Sequence, residues 1–216
     1  GSASALLRCA DLELDPDEVQ AVADAVLRAR YGPQGSAYTF VHGLQGAPRG
    51  YCLAAAALAF FDPDAARETL RLCLRLVAGD GSVAYAHTGA GRTTAAGVHR
   101  APSDLPLCLL WAASELVFVT GDTAFADEAR PALLRTWRWL RDAVGLGPHE
   151  LLRVGSGDWN DPITAFAPSR RAFHRSGESS FNSAMAAYVL PRAAAILPEE
   201  AGAMRALAAR LRAALA

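Results

Sequence analysis

Residues 104–123 read Asp-Leu-Pro-Leu-Cys-Leu-Leu-Trp-Ala-Ala-Ser-Glu-Leu-Val-Phe-Val-Thr-Gly-Asp-Thr, and this stretch decides the fold class. The apolar run Asp104–Thr120 is too long for a strand and reads as a helix. Gly121 stops it, and Thr123 opens a second helix that runs to Val144. Two long helices joined by so tight a link must pack as an antiparallel hairpin. The same signals recur on both sides. Asp15-Pro16-Asp17-Glu18 supplies an N-cap, a proline at the first helical position and early acids, for a helix to about Arg30. Tyr51–Phe61 is an Ala/Leu helix, and Asp62-Pro63-Asp64 starts another that continues through Val77. A helix from Ser180 is expected to bend or break near Pro191, and Pro198-Glu199 opens the last one. Only Ser82–Ala86 and Tyr38–Val41 read as short loop strands. The chain is all-α.

The connections say more than the helices. Those at Asp62–Asp64, Gly121–Thr123 and Ile196–Glu199 are tight. Those at Gly32–Gly50, Gly81–Ser103 and Gly145–Ser179 are long and rich in Gly, His, Arg and aromatics. Short and long links alternate, and in an array of antiparallel helices alternate links share one end. The three long segments should therefore gather on one face. Loops of this length in a compact domain are usually functional.

Composition narrows the function classes. Hydrophobic residues make up 52% and charged residues 20%, a globular balance. The formal net charge of −1 gives no basic field for nucleic acid and no polybasic patch for a membrane. Tyr51–Phe61 and Leu105–Val119 are too short to span a bilayer, and no signal peptide is visible. Cys9, Cys52, Cys73 and Cys108 form no C-x-x-C pair, so buried reduced thiols in a cytoplasmic protein are expected. His42, His87, His99, His149 and His174 have no metal-ligand spacing, and no metal is expected. Gly89–Thr94 lacks the lysine and the preceding strand of a nucleotide loop. Trp137 reads as core, with Trp139 near a helix edge. Residues 1–216 read as a single helical domain. The Gly1-Ser2 start and the end inside a helical pattern at Ala216 suggest part of something larger.

The sharpest local feature is Gly155-Ser-Gly-Asp-Trp-Asn-Asp161, followed in the same connection by Gly177-Glu178-Ser179. It sets two carboxylates three residues apart around an indole. A sugar site uses those groups: an aromatic face for the pyranose, carboxylates and amides for its hydroxyls, and one protonated carboxyl for the glycosidic oxygen. An Asx-turn at a helix boundary would use some of the same residues. The motif resembles the signature of the cellobiose phosphorylase and cyclic β-glucan-processing family, within the six-hairpin (α/α)6 glycosidase superfamily. Ser103-Asp104-Leu105-Pro106-Leu107, running through Trp111 to Thr120-Gly121-Asp122, resembles a second element of that family. Gly46-Ala47-Pro48-Arg49 resembles its arginine-bearing loop before the donor-site helix. The resemblance covers residues 40–200.

The resemblance implies a partial (α/α)6 toroid built of helical hairpins. It implies Asp161 as general acid, Trp159 shaping the pocket and Arg49 on the donor sugar. Asp158 and Glu178 would orient or hydrogen-bond, and Asp104 would contact substrate unless it serves only as an N-cap. No cofactor is implied; inorganic phosphate enters as a co-substrate if the reaction is phosphorolysis. The expected partner is an oligosaccharide, with homo-oligomerisation or a further C-terminal segment to complete the barrel. Three departures stand out. Gly50 follows Arg49 where the family has Asp, the apolar run Cys52–Leu58 replaces a further Asp, and Pro162-Ile163 follows the motif. They leave two readings: an inverting glycoside phosphorylase or hydrolase, or a non-catalytic carbohydrate-binding or scaffold protein on the same frame.

Overall fold

The computed structural model describes residues 41–42, 45–88, 93–94, 102–157 and 169–216. The predicted helix Asp15–Arg30 and residues Cys9, His99, Asp158, Trp159 and Asp161 lie outside them. The described chain is mainly helical: α1 (Pro48–Leu58), α2 (Pro63–Arg75), α3 (Asp104–Thr120), α4 (Thr123–Trp139), α5 (Arg170–Ser176), α6 (Ser180–Ile196) and α7 (Ala201–Leu215). A π-helical turn, Leu140–Val144, extends α4, and a 3-10 turn, Pro198–Glu200, leads into α7. Four strands of two or three residues, β1 (Val41–His42), β2 (Gln45–Gly46), β3 (Ala86–Thr88) and β4 (Thr93–Thr94), form an antiparallel sheet in sequential order.

The helices pair as α1–α2, α3–α4 and α6–α7, and the hairpins stack through α1–α3, α3–α6 and α2–α4 contacts. Ion pairs fix the direction. Arg67 and Arg71 on α2 reach Asp122, the N-cap of α4, and Glu128 on α4 in register, so α2 and α4 run parallel. Arg49 and Asp104 join the first turns of α1 and α3, while Ser103 and Asn182 join those of α3 and α6. Thus α1, α3 and α6 form one parallel layer, and their partners run back along it. With neighbours on several sides, α3 is apolar almost all round: Leu105, Leu107, Leu109, Leu110, Ala112, Ala113 and Leu116 are all buried. One core runs from Tyr51 to Leu211. Among the described residues no helix is long and apolar enough to cross a membrane.

The tight links form as their residues dictate. Asp62 accepts from Ala65 N–H at 3.1 Å, Asp122 accepts from Phe125 N–H at 2.9 Å, and Gly121 takes the left-handed conformation at φ 70°. Trp137 is fully buried and its indole donates to Glu200, as do Arg138 and Arg141, which fastens the end of α4 to the start of α7. Cys52, Cys73 and Cys108 are buried free thiols, with Cys52 Sγ 3.9 Å from Cys73 Sγ. Burial pushes the Cys108 thiol up.

Three expectations need correction. Arg49 lies inside the first turn of α1 rather than in a preceding loop, because Pro48 at the start of the helix presets φ and needs no partner for its nitrogen. The long connection after the motif contains a helix, α5, started by Ser169 Oγ accepting from Ala172 N–H at 3.3 Å. Finally, α6 continues through Pro191 without a break. A proline cannot donate to the carbonyl four residues earlier, here Ala187. That oxygen instead accepts from Arg212 on α7 at 2.7 Å. Arg212→Met is therefore expected to cost about 1 kcal/mol in urea unfolding. Pro191→Ala in the same background should restore most of it, since the returned N–H can take the same carbonyl. A double variant no more stable than Arg212→Met alone would refute this account.

Candidate functional site

The first turns of α1, α3 and α6 meet at one end of the array, as the alternation of links requires. Arg49 Nε donates to Asp104 Oδ2 at 2.5 Å. The same guanidinium lies 5.9 Å from the centre of the Tyr85 ring, within cation–π reach. Asp104 is not the N-cap of α3. That position belongs to Ser103, and Asp104 is the first helical residue, with its side chain turned to Arg49. The Asp104 side chain is 2% exposed and that of Arg49 15%. A carboxylate at this depth is stabilised by the guanidinium and by the unsatisfied N–H groups at the helix start.

Ser103 ties this end to the stretch leading into the motif. Its N–H donates to Gly157 O at 3.2 Å and its hydroxyl donates to Val154 O at 2.8 Å. Pro102 and Gly155 form an antiparallel bridge. Asn182 in the first turn of α6 donates through Nδ2 to Ser103 Oγ at 2.7 Å, and Leu152 N–H donates to Ser183 Oγ at 2.9 Å. Ser103, Asn182 and Ser183 are fully buried, so these bonds form with little competition from water. The chain is thereby delivered to Gly157, immediately before Asp158, on the same end as Arg49 and Asp104.

Both ends of the segment carrying the motif are pinned together. Val154 N–H donates to Gly177 O and Ser179 N–H donates to Leu152 O, each at 2.8 Å, with Arg153 bridged to Glu178. Glu178 Oε1 accepts from the N–H of His149 at 3.0 Å and of Leu151 at 3.2 Å, while Oε2 meets His149 Nδ1 at 2.5 Å. Burial pushes the Glu178 carboxyl up, but the bonds from His149 and Leu151 outweigh it, and the net position is below the ordinary glutamate value. A Cβ on Gly147 would come within 2.4 Å of the Glu178 carboxyl carbon, so the turn admits only glycine there without displacing the carboxylate.

The structure thus brings Arg49 and Asp104 into direct contact and sets the Glu178 carboxylate against the loop 147–151, where both of its oxygens are engaged. Asp158, Trp159 and Asp161 lie outside the described residues. Sequence reading quoted Ser103 only as part of a motif, without a role, and missed Tyr85, Asn182 and Ser183. The available signal was the pair Asn182-Ser183 within an otherwise apolar helix, since polar residues at core positions are kept where they have partners.

The pinning carries a pH prediction. A glutamate whose folded pKa lies below its unfolded value of about 4.3 adds stability that is fully present above that pH. The contribution is lost as pH falls through the folded value. Glu178→Gln should lower stability at pH 7 and flatten the decline in acid below about pH 4.3, measured by urea unfolding as a function of pH. Parallel pH profiles for the two proteins would contradict it.

Compared with models of known protein families and with curated proteins, the chain matches none.

Proposed function

We propose that this protein is a carbohydrate-active enzyme that cleaves or phosphorolyses glucosidic bonds with inversion, Asp161 acting as general acid. Asp161 gives a proton to the leaving glycosidic oxygen as the C1–O bond breaks, while phosphate or water forms the new bond at C1 from the opposite face. Arg49, Asp104, Asp158, Trp159 and Glu178 bind or orient the oligosaccharide, and the hairpins belong to an incomplete (α/α)6 toroid. A further hairpin or a second copy would cover the half-exposed Phe181 and Tyr188 on α6. The protein works in the cytoplasm, which the buried thiols support.

One observation carries this reading most. Gly155–Gly157, the start of the carboxylate motif, is bonded to the helix end that holds the Arg49–Asp104 pair. The test is incubation of the full chain with gluco-oligosaccharides, with and without phosphate, following the first-formed anomer by proton NMR. The expected product has the configuration opposite to the bond cleaved. A retained product would overturn the single-displacement mechanism, and saturable oligosaccharide binding without turnover would select the non-catalytic reading. That second reading has its own support, because the Arg49 guanidinium is already held by Asp104.

A further inference from the structure

A cavity of about 390 Å³ lies beside the π-turn, between Trp139, the stretch Arg153–Ser156 and α5, which contributes His174 and Arg175. That is within the usual size of a small-molecule site. Its described lining carries two guanidinium groups, an imidazole, an indole and a hydroxyl, and no carboxylate.

Among the described residues neither arginine of this cavity has a carboxylate partner. Most of the other described arginines, from Arg49 to Arg210, are paired with an Asp or Glu. Arg153 and Arg175 make only backbone contacts: Arg153 Nη1 donates to Val144 O at 3.2 Å, and Arg175 Nε donates to Arg171 O at 3.4 Å. A guanidinium has five N–H donors, so each keeps most of its fork available. The position of Arg153 is built into the backbone. Gly145 adopts φ 62°, and a Cβ there would approach Arg153 Nη1 to 3.3 Å, so the glycine lets the guanidinium lie against the turn.

Two forks on one concave wall, with no carboxylate among the described lining residues, favour a group with several acceptor oxygens and more than one negative charge. Phosphate esters meet that description better than a carboxylate, and arginine binds them in bidentate fashion. The cavity is larger than a tetrahedral anion fills, and Trp139 offers an apolar face for a sugar ring. We propose that this cavity binds the phosphoryl group of a sugar phosphate, with Arg153 and Arg175 on its oxygens and Trp139 against the ring. Among the described residues the site shares Gly155 and Ser156 with the motif stretch but none of the side chains assigned to bond cleavage, and it does not rest on that assignment.

The test is calorimetric titration of the full chain at low salt with glucose 6-phosphate, inorganic phosphate and glucose. Glucose 6-phosphate is expected to bind at one saturable site and glucose not at all. Inorganic phosphate separates the two sources: weaker binding assigns the sugar phosphate, and equal binding keeps the phosphoryl site while assigning free phosphate as its ligand. Arg175→Gln and Arg153→Gln should each weaken binding about tenfold, as expected for loss of a charge-assisted bond. Arg175 is exposed, so its variant should fold normally, which circular dichroism verifies. Absence of binding by either phosphate compound, or binding unchanged in both variants, overturns the site whatever the glycosidase assay shows.

Discussion

Asp161→Asn in the full chain is expected to lower turnover of a natural gluco-disaccharide by about 10²–10⁴-fold, the usual contribution of a positioned acid. Affinity for the sugar should change little, because the amide keeps the size and most of the hydrogen-bonding capacity of the carboxyl. The loss should then appear in kcat and kcat/KM together, as for an interaction made only in the transition state. Leaving groups that need less protonation, such as aryl glycosides or glycosyl fluorides, should shrink the defect. Asp158→Asn should chiefly weaken binding. If Asp161→Asn leaves turnover intact, the acid is another residue, and the geometry ranks the remaining carboxyls. Glu178 is held ionised by the side chain of His149 and by two backbone N–H groups. A carboxyl stabilised as its anion is a poor proton donor at neutral pH. Asp158 would be the next residue to test.

The parts legible in the sequence were those written in local chemistry. Asp104–Thr120 was bounded to the residue because an apolar run ended at a glycine with left-handed backbone. Asp62 and Asp122 were readable as helix starts for the same local reason. The gathering of the long links followed from counting alternations, which put the segments ending at Gly50 and Ser103 on one face; the contact between Arg49 and Asp104 was not foreseen. What could not be read depended on partners distant in sequence. Pro191 looked like a break because the arginine that satisfies Ala187 O lies on the next helix. Asp104 looked like a cap because its guanidinium partner precedes it by 55 residues. Glu178 was legible as part of a motif, but its grip on the loop 147–151 was not, because the donors it accepts from lie 29 and 27 residues earlier. The cation-lined cavity was invisible for a related reason: nothing in the sequence marks Arg153 as the neighbour of Arg175 across the fold.

The Arg49–Asp104 pair yields the largest expected effect on stability, and its two halves should not be equivalent. Arg49→Met leaves the Asp104 carboxylate, with its side chain only 2% exposed, without its guanidinium. Removing one partner of a buried ion pair typically costs about 3–5 kcal/mol. The start of α3 compensates by at most about 1–2 kcal/mol through its N–H groups, so a loss of about 3 kcal/mol is expected. Asp104→Asn should cost less. The Arg49 side chain is 15% exposed and its guanidinium lies 5.9 Å from the centre of the Tyr85 ring, so its charge can still reach water and an aromatic face. Combining the two removes the buried charge that has lost its guanidinium, and the double variant should be more stable than Arg49→Met alone. Urea unfolding of the four proteins with unchanged slopes would give the coupling energy directly. Equal and small losses for both single variants would mean that the pair is solvated rather than sealed. That result would also mean that the contact with Asp104 does not by itself keep the Arg49 guanidinium from substrate hydroxyls. The stability cycle and the oligosaccharide-binding assay on the same variants therefore decide together whether this arginine builds the site or reads the ligand.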